Sequence, residues 1–315
     1  MTTKFAIRPL AEIDIPAADR IFRQAFGKFL GLSDPLAFTG DAGILLTRWR
    51  RDPEGALGAY SDEGLIGSSF AARWGSFGFL GPVSVRPDLW DQGVAKQLVE
   101  RTVALLDRWA LPQTALFTFP QSPKHIALYQ KFGFWPQYLT PVMSKEVRRT
   151  EKIGTSSRYS ILSLADQTTC LAQCRALTGK IFAGLDVGSE IRAIANQRLG
   201  DTVLINDGSG LAGFAACHVG KGSEAGTGAT FVKFGAVRPG ASASILFDRL
   251  LDACEALAAD MGCQQIIAGI NAARHEAYCQ MIGRGFRAFL EGVAMLRPNE
   301  AAYNRADCFV IDDLR

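Results

Sequence analysis

The chain has 315 residues, of which 48% are hydrophobic and 21% charged, and its formal net charge is +3. That composition excludes disordered, collagen-like and coiled-coil classes, and the length suits about two domains. No apolar run approaches the ~20 residues that cross a bilayer, and the near-neutral charge argues against a nucleic-acid partner. The start of the chain lacks an apolar secretory segment, so a cytoplasmic location is expected. The Arg48-Trp49-Arg50-Arg51 cluster and the Arg148-Arg149 pair read as solvated helix-end and linker charges.

In chain order, residues 5–10 form a short strand, and a helix opens at Ile15-Pro16 with Ile21, Phe22, Ala25, Phe26 and Phe29 at helical spacing. A second helix carries Ile44, Leu45, Leu46 and Trp49. Strands follow at 55–61, 65–74 and 79–85, the first two joined by the turn Ser61-Asp62-Glu63-Gly64. A long amphipathic helix runs from Val94 to Trp109, with Leu98, Val99, Thr102, Leu105 and Leu106 on one stripe. A strand at 114–119, a helix from Pro123 to Phe132 and a strand at 138–143 end this half. The second half repeats the pattern, with strands at 159–164, 202–206, 211–219, 231–237, 265–270 and 289–296 and a long helix at 242–261. Its Gly-rich stretch 220–228 lies between two strands and reads as a mobile hairpin loop.

Composition divides the chain. All five tryptophans precede residue 136, and all seven cysteines follow residue 169. The polar run from Ser144 to Ser157 has linker composition, which places a boundary near 153 and domains at 1–150 and 151–315. Val85-Arg86-Pro87 recurs as Val237-Arg238-Pro239 and Gly133-Phe134 as Gly285-Phe286, both at an offset of 152, as a diverged tandem duplication would give. Mixed strands with helices on both faces give an α/β fold of two three-layer sandwiches with mixed central sheets. Cys170 and Cys174 share a helical spacing, but no second pair or flanking histidine completes a metal site, so free core thiols are expected.

The segment from Val83 to Leu98 carries the chemistry. A β-branched strand ends at Pro87, and a turn then delivers Gly93 to the start of a long helix. The first amides of a helix lack internal partners and carry the positive end of its dipole, so Gly93 and Ala95 let an anion approach the backbone. Strand, small-residue turn and helix start together suit a phosphate. No Gly-Lys-Ser/Thr and no Gly-x-Gly-x-x-Gly series is present, so the segment is neither a P-loop nor a dinucleotide fingerprint.

This segment resembles the acyl-CoA loop of the GNAT acetyltransferase superfamily, whose Arg/Gln-x-x-Gly-x-Gly/Ala pattern falls on Trp90-Asp91-Gln92-Gly93-Val94-Ala95. Trp90 stands where Arg or Gln is usual, which implies weakened rather than abolished pyrophosphate binding. The run from Ser122 to Phe134 resembles the second signature, a helix with Ala127-Leu128-Tyr129 followed by Gly133-Phe134. The resemblance implies acetyl-CoA as co-substrate and a primary amine as acceptor. A small-molecule amine is expected first, with polyamine, antibiotic, amino acid and protein amino-terminus all open. Backbone from Gln92 through Gly93, Val94 and Ala95 to Lys96 would hold the pyrophosphate, with Lys96 adding a cationic contact. Val83, Ser84 and Val85 would hold the pantetheine arm, and Tyr129 would protonate the departing thiolate.

No base is evident: water, Glu63, Asp62 and His125 all stay open. The aromatic set Trp49, Trp74, Phe77, Phe79, Phe117, Phe119, Trp135 and Tyr138 reads mostly as core, with some members available to an acceptor cleft. The second half has a shorter turn after Pro239 and carries Tyr278 seven residues before Gly285, as a degenerate copy would. A non-catalytic acyl-CoA-binding module and a catalytic second half are the alternatives.

Overall fold

The structure, a computed structural model, describes residues 4–147 and 157–315. The first half contains β1 (Ala6–Pro9), α1 (Ile15–Phe29), α2 (Ile44–Arg51), β2 (Ala56–Ser61), β3 (Gly64–Trp74) and β4 (Phe77–Val85). It continues with α3 (Val94–Arg108), β5 (Gln113–Thr118), α4 (Pro123–Gln130), β6 (Trp135–Leu139) and β7 (Val142–Glu146). The second half begins with β8 (Ser157–Arg158), α5 (Leu164–Ile181), α6 (Gly188–Gln197), β9 (Gly200–Asp207), β10 (Gly210–Gly220) and β11 (Gly226–Val237). It ends with α7 (Ala243–Asp260), β12 (Gln265–Gly269), α8 (His275–Gly283), β13 (Arg287–Leu290), β14 (Val293–Arg297) and β15 (Val310–Ile311).

The helices follow their apolar stripes. In α1, Ile15, Ala18, Ile21, Phe22 and Ala25 are buried and Pro16 sits in the first turn, where no amide partner is needed. In α3, Leu98, Val99, Thr102, Leu105 and Leu106 are buried against the sheet, and the Thr102 hydroxyl donates to the Leu98 carbonyl at 2.8 Å, leaving no bare polar group. Among the described residues no helix is long and apolar enough to cross a membrane.

Two mixed sheets form, with strand orders β1-β2-β3-β4-β5-β14-β6 and β13-β7-β12-β11-β10-β9-β8. Each contains one strand from the other half. β14 lies antiparallel between β5 and β6, while β7 lies antiparallel between β12 and β13. The expected single strands at 138–143 and 289–296 are therefore each two strands, one on either side of the exchange. Pro141 marks the first break and Gly292 the second, where an added Cβ would lie 1.9 Å from the Phe117 ring. The expected strand at 159–164 is also corrected: pairing stops at Arg158, a 3-10 turn covers Tyr159–Ile161, and Ser163 caps α5 by accepting from the Asp166 amide. Ser144, Lys145 and Glu146 of the expected linker belong to β7. The boundary near 153 and the Arg148-Arg149 pair lie outside the described residues.

The halves share a core. Trp74, Phe77 and Phe79 of the first sheet pack with Leu185, Phe214, Phe234 and Tyr303 of the second half. Charges cross this interface too, which corrects the reading of Arg48 and Arg51 as solvated: Arg48 pairs with Glu224 and Arg51 with Glu190, all four side chains at most 7% exposed. Arg50 alone of that cluster faces solvent. Six cysteines are buried free thiols, and Cys279 is exposed.

Residues 1–150 expressed alone would lack β14 and expose Trp74, Phe77 and Phe79, each contributing roughly 1.5–3 kcal/mol when buried. Such a fragment should show no cooperative thermal transition, and co-expression with residues 151–315 should recover a soluble pair. A stable monomeric 1–150 fragment, seen by calorimetry and sizing, would contradict the exchange.

Candidate active site

Strands β4 and β5 pair in parallel from Phe77 opposite Gln113 to Leu80 opposite Leu116, and no further. Just beyond, β4 bulges against β3: Ala71 opposes Leu80 but Ser69 opposes Val83, leaving Gly81 and Pro82 as the extra step. The strands part, and a cavity of about 620 Å³ opens between them. Its walls include Val83, Ser84, Val85, Gly93, Val94, Ala95, Lys96 and Tyr129, so the two sequence motifs meet in one place. Gln92 is not among the lining residues; its side-chain amide donates to the Asp88 carbonyl at 3.4 Å.

Gly93 caps α3 with φ +82°, a left-handed conformation that side chains resist, and an added Cβ would point into open space. Gln97 is the first residue whose amide bonds along the helix, to the Gly93 carbonyl at 3.2 Å. The amides of Val94, Ala95 and Lys96 thus belong to the free first turn, where an anion is favoured. Trp90, the departure from the loop pattern, folds back onto the strand: its indole donates to the Val85 carbonyl at 3.0 Å, and the ring lies 5.6 Å from the Lys28 ammonium. Lys124 at the start of α4 pairs with Asp91 across the mouth. Both are exposed, so the pair is a weak strap.

Tyr129 is buried on α4 among Leu80, Val99, Leu116 and Phe134. Burial pushes its phenol well above the ordinary value, so it stays protonated through neutral pH. One helical turn earlier, His125 also faces the cavity, its ring 4.9 Å from Phe29. Burial, helped by the Lys124 charge, lowers its pKa. Glu63 pairs with Arg86 at the exposed turn, and neither it nor Asp62 lines the cavity.

Of the expected aromatic set, Phe117 and Phe119 line the cavity while Trp74, Phe77 and Phe79 are core and Trp135 and Tyr138 are exposed. Phe26 and Phe29 join the wall from α1. The helical period sets these two on a core-facing stripe, and that stripe's last turn overhangs the parted strands.

Residues 20–134 match the family model described as Acetyltransferase (GNAT) family. Over those residues the chain is similar to GNAT acetyltransferase domains. No curated protein matches the chain. Along its whole length the chain resembles a candidate acetyltransferase from Pyrococcus horikoshii, at 14% identity and TM-score 0.71 over 97% of this chain and 93% of that one. It also resembles a GCN5-related N-acetyltransferase from Sphaerobacter thermophilus, at 15% identity and TM-score 0.63 over 93% of this chain and 95% of that one. At these identities the likeness is one of fold, and it extends over both halves.

The second half repeats the GNAT fold but fills its opening. Strands β11 and β12 also pair only as far as Val232 and Ala268. Beyond that, β15 takes the free edge, with Ile311 opposite Gly235 and Val310 opposite Ala236. At the offset of 152 these two β11 residues correspond to Val83 and Ser84. Arg274, fully buried, locks the insert by donating to the Val310 carbonyl at 3.0 Å and pairing with Asp312 at 2.9 Å, and the Tyr303 hydroxyl donates to the same carboxylate at 3.0 Å. Tyr278 does not stand in the place of Tyr129; at the repeat offset that position is the buried Met281. The Gly-rich loop after β10 is a hairpin as expected, but it is pinned rather than mobile. Glu224 is buried in ion pairs, and Thr227 donates from its amide to Asp41 at 2.8 Å.

Proposed function

We propose that the first half transfers an acetyl group from acetyl-CoA to a primary amine on a small acceptor with an apolar body, and that the second half binds no acyl-CoA. The observation that carries this reading is the edge Val83–Val85, which β5 leaves uncovered and which runs from the free amides of α3 toward buried Tyr129 along one cavity. The helix start takes the pyrophosphate, and Lys96 adds charge beside it. Apart from the Val85 carbonyl, which the Trp90 indole already holds, the backbone of Val83, Ser84 and Val85 offers its edge to the amides of the pantetheine arm, as a strand would.

In the reaction the amine nitrogen attacks the thioester carbonyl carbon. The tetrahedral intermediate collapses by breaking the C–S bond, and the thiolate takes the Tyr129 proton. Among the described residues the cavity's one lining carboxylate is Asp91, at the mouth. The amine enters as the free base. The proton its nitrogen sheds on forming the amide goes to water or to His125, which lines the same cavity, and Tyr129 is reprotonated from solvent. Holding the amine against the thioester supplies most of the acceleration. The Phe26, Phe29, Phe117 and Phe119 wall favours an acceptor with an aromatic or aliphatic body, while a polycation finds no carboxylates to pair with.

Titration calorimetry of acetyl-CoA into the full chain should give one site per chain, because the second opening is filled. Gly93→Val should weaken that affinity by about tenfold or more, since a β-branched residue resists a left-handed φ and crowds the phosphate path. A stoichiometry of two, or an unchanged affinity in the variant, would refute the two assignments separately.

Tyr129→Phe should lower kcat by roughly 10²–10⁴-fold, the usual worth of a positioned acid, with acetyl-CoA affinity within about twofold of the parent. An unchanged kcat removes Tyr129 from the chemistry.

In a steady-state amine panel, kcat/KM for 2-phenylethylamine should exceed that for spermidine by about tenfold or more, the scale of discrimination that pocket contacts supply. It should rise with pH as the amine's free-base fraction rises. A preference for spermidine would overturn the acceptor assignment and leave the acetyl-transfer reading standing.

A further inference from the structure

The two bulged strands face each other across the interface, and between them lies an ion cluster that the transfer chemistry does not use. Arg48 on α2 donates Nη1 to the Gly81 carbonyl at 3.2 Å, at the bulge of β4. The same guanidinium is gripped by Glu224 from the second half's hairpin, Nε to Oε1 at 2.9 Å and Nη2 to Oε2 at 2.7 Å. Lys233 in turn donates to Glu224 at 2.9 Å and to the main-chain oxygen of Arg315. In β11 Lys233 is itself the extra residue, because Ala216 opposes Phe234 while Cys217 opposes Val232. At the repeat offset it occupies the place of Gly81.

Burial by itself would raise the Glu224 pKa, but Arg48 and then Lys233 overcome it and hold the carboxylate well below the usual range. Such a cluster recovers little net stability after desolvation, so its presence argues for fixed geometry more than for strength. The geometry it fixes is specific. The peptide between Gly81 and Pro82 has an acceptor and no donor, and it stands where the free edge Val83–Val85 begins. Held by Arg48, its carbonyl cannot turn into the cavity, where it would oppose the carbonyl oxygen of a thioester.

We propose that Arg48 is a positioning residue for acyl transfer, and that the second half sets it through Glu224 and Lys233. This rests on the acetyl-transfer reading above. The second half then serves the first by holding the bulge of its reactive strand.

The test uses full-length Arg48→Lys, which cannot keep the two-pronged grip and the third bond together, and Glu224→Gln, which keeps the volume and loses the charge. Both should lower kcat at saturating substrates by between about ten- and a hundredfold, the scale of a small misplacement of reacting groups. Acetyl-CoA affinity by calorimetry should stay within about twofold of the parent. The control is Arg51→Lys, which weakens the neighbouring Arg51–Glu190 pair of the same interface. It should lower the unfolding temperature as Arg48→Lys does while leaving kcat at the parental value. Equal losses of kcat in Arg48→Lys and Arg51→Lys, or no loss in Arg48→Lys and Glu224→Gln, would overturn the positioning role. If either Arg48→Lys or Glu224→Gln does not fold, the other decides. A parent chain that neither binds acetyl-CoA nor turns over would sink the acetyl-transfer reading instead.

Discussion

Two parallel strands can share a ladder only while they run together. In each half of this protein the central pair parts after four residue pairs, Leu80 from Leu116 and Val232 from Ala268. Backbone groups exposed by the parting need partners, since a buried unpaired amide or carbonyl is costly. The first half leaves them to a cavity. The second half satisfies them with its own Val310 and Ile311. One geometric event has thus been resolved in two ways, and the difference separates a candidate site from a scaffold.

The scaffold is not passive. Through the exchange of β7 and β14, each sheet depends on the other half for an interior strand. Through the Arg48–Glu224–Lys233 cluster, the bulge that starts the free edge is tied to the hairpin opposite. The largest shared apolar cluster joins Trp74, Phe77 and Phe79 to Phe214, Phe234 and Tyr303. Backbone pairing, buried charge and apolar packing all cross the same boundary, so the orientation of the halves is fixed by three kinds of interaction.

Local pattern made much of this legible. The stripe of α3, the capping glycine at 93 and the repeat offset of 152 are local or periodic features, and the structure places them where the pattern requires. Partnership was harder to read. A β-strand's side-chain period does not say which sheet it joins, so β6 and β7 merged into one expected strand although Pro141 lay between them. Arg48 and Arg51 carry the same charge as exposed Arg50, and only the distant Glu224 and Glu190 distinguish them. Val310 and Ile311 form too short a run to announce a strand, and their function depends on an opening made by residues about 75 positions away. Phe26 and Phe29 obey the helical period, which specifies a face but not the cavity beneath its end.

Exchange of equivalent strands by equivalent halves is the arrangement that two copies of a half-length chain would make as a symmetric pair. In such a homodimer every substitution appears twice, so a change that closes one opening closes both. Covalent joining removes that restriction and turns assembly from a bimolecular into an intramolecular event. One copy can then keep tyrosine at position 129 while the other carries methionine at 281. Fusion in this sense is what permits asymmetry, letting one lobe surrender its vacancy to become the other's frame.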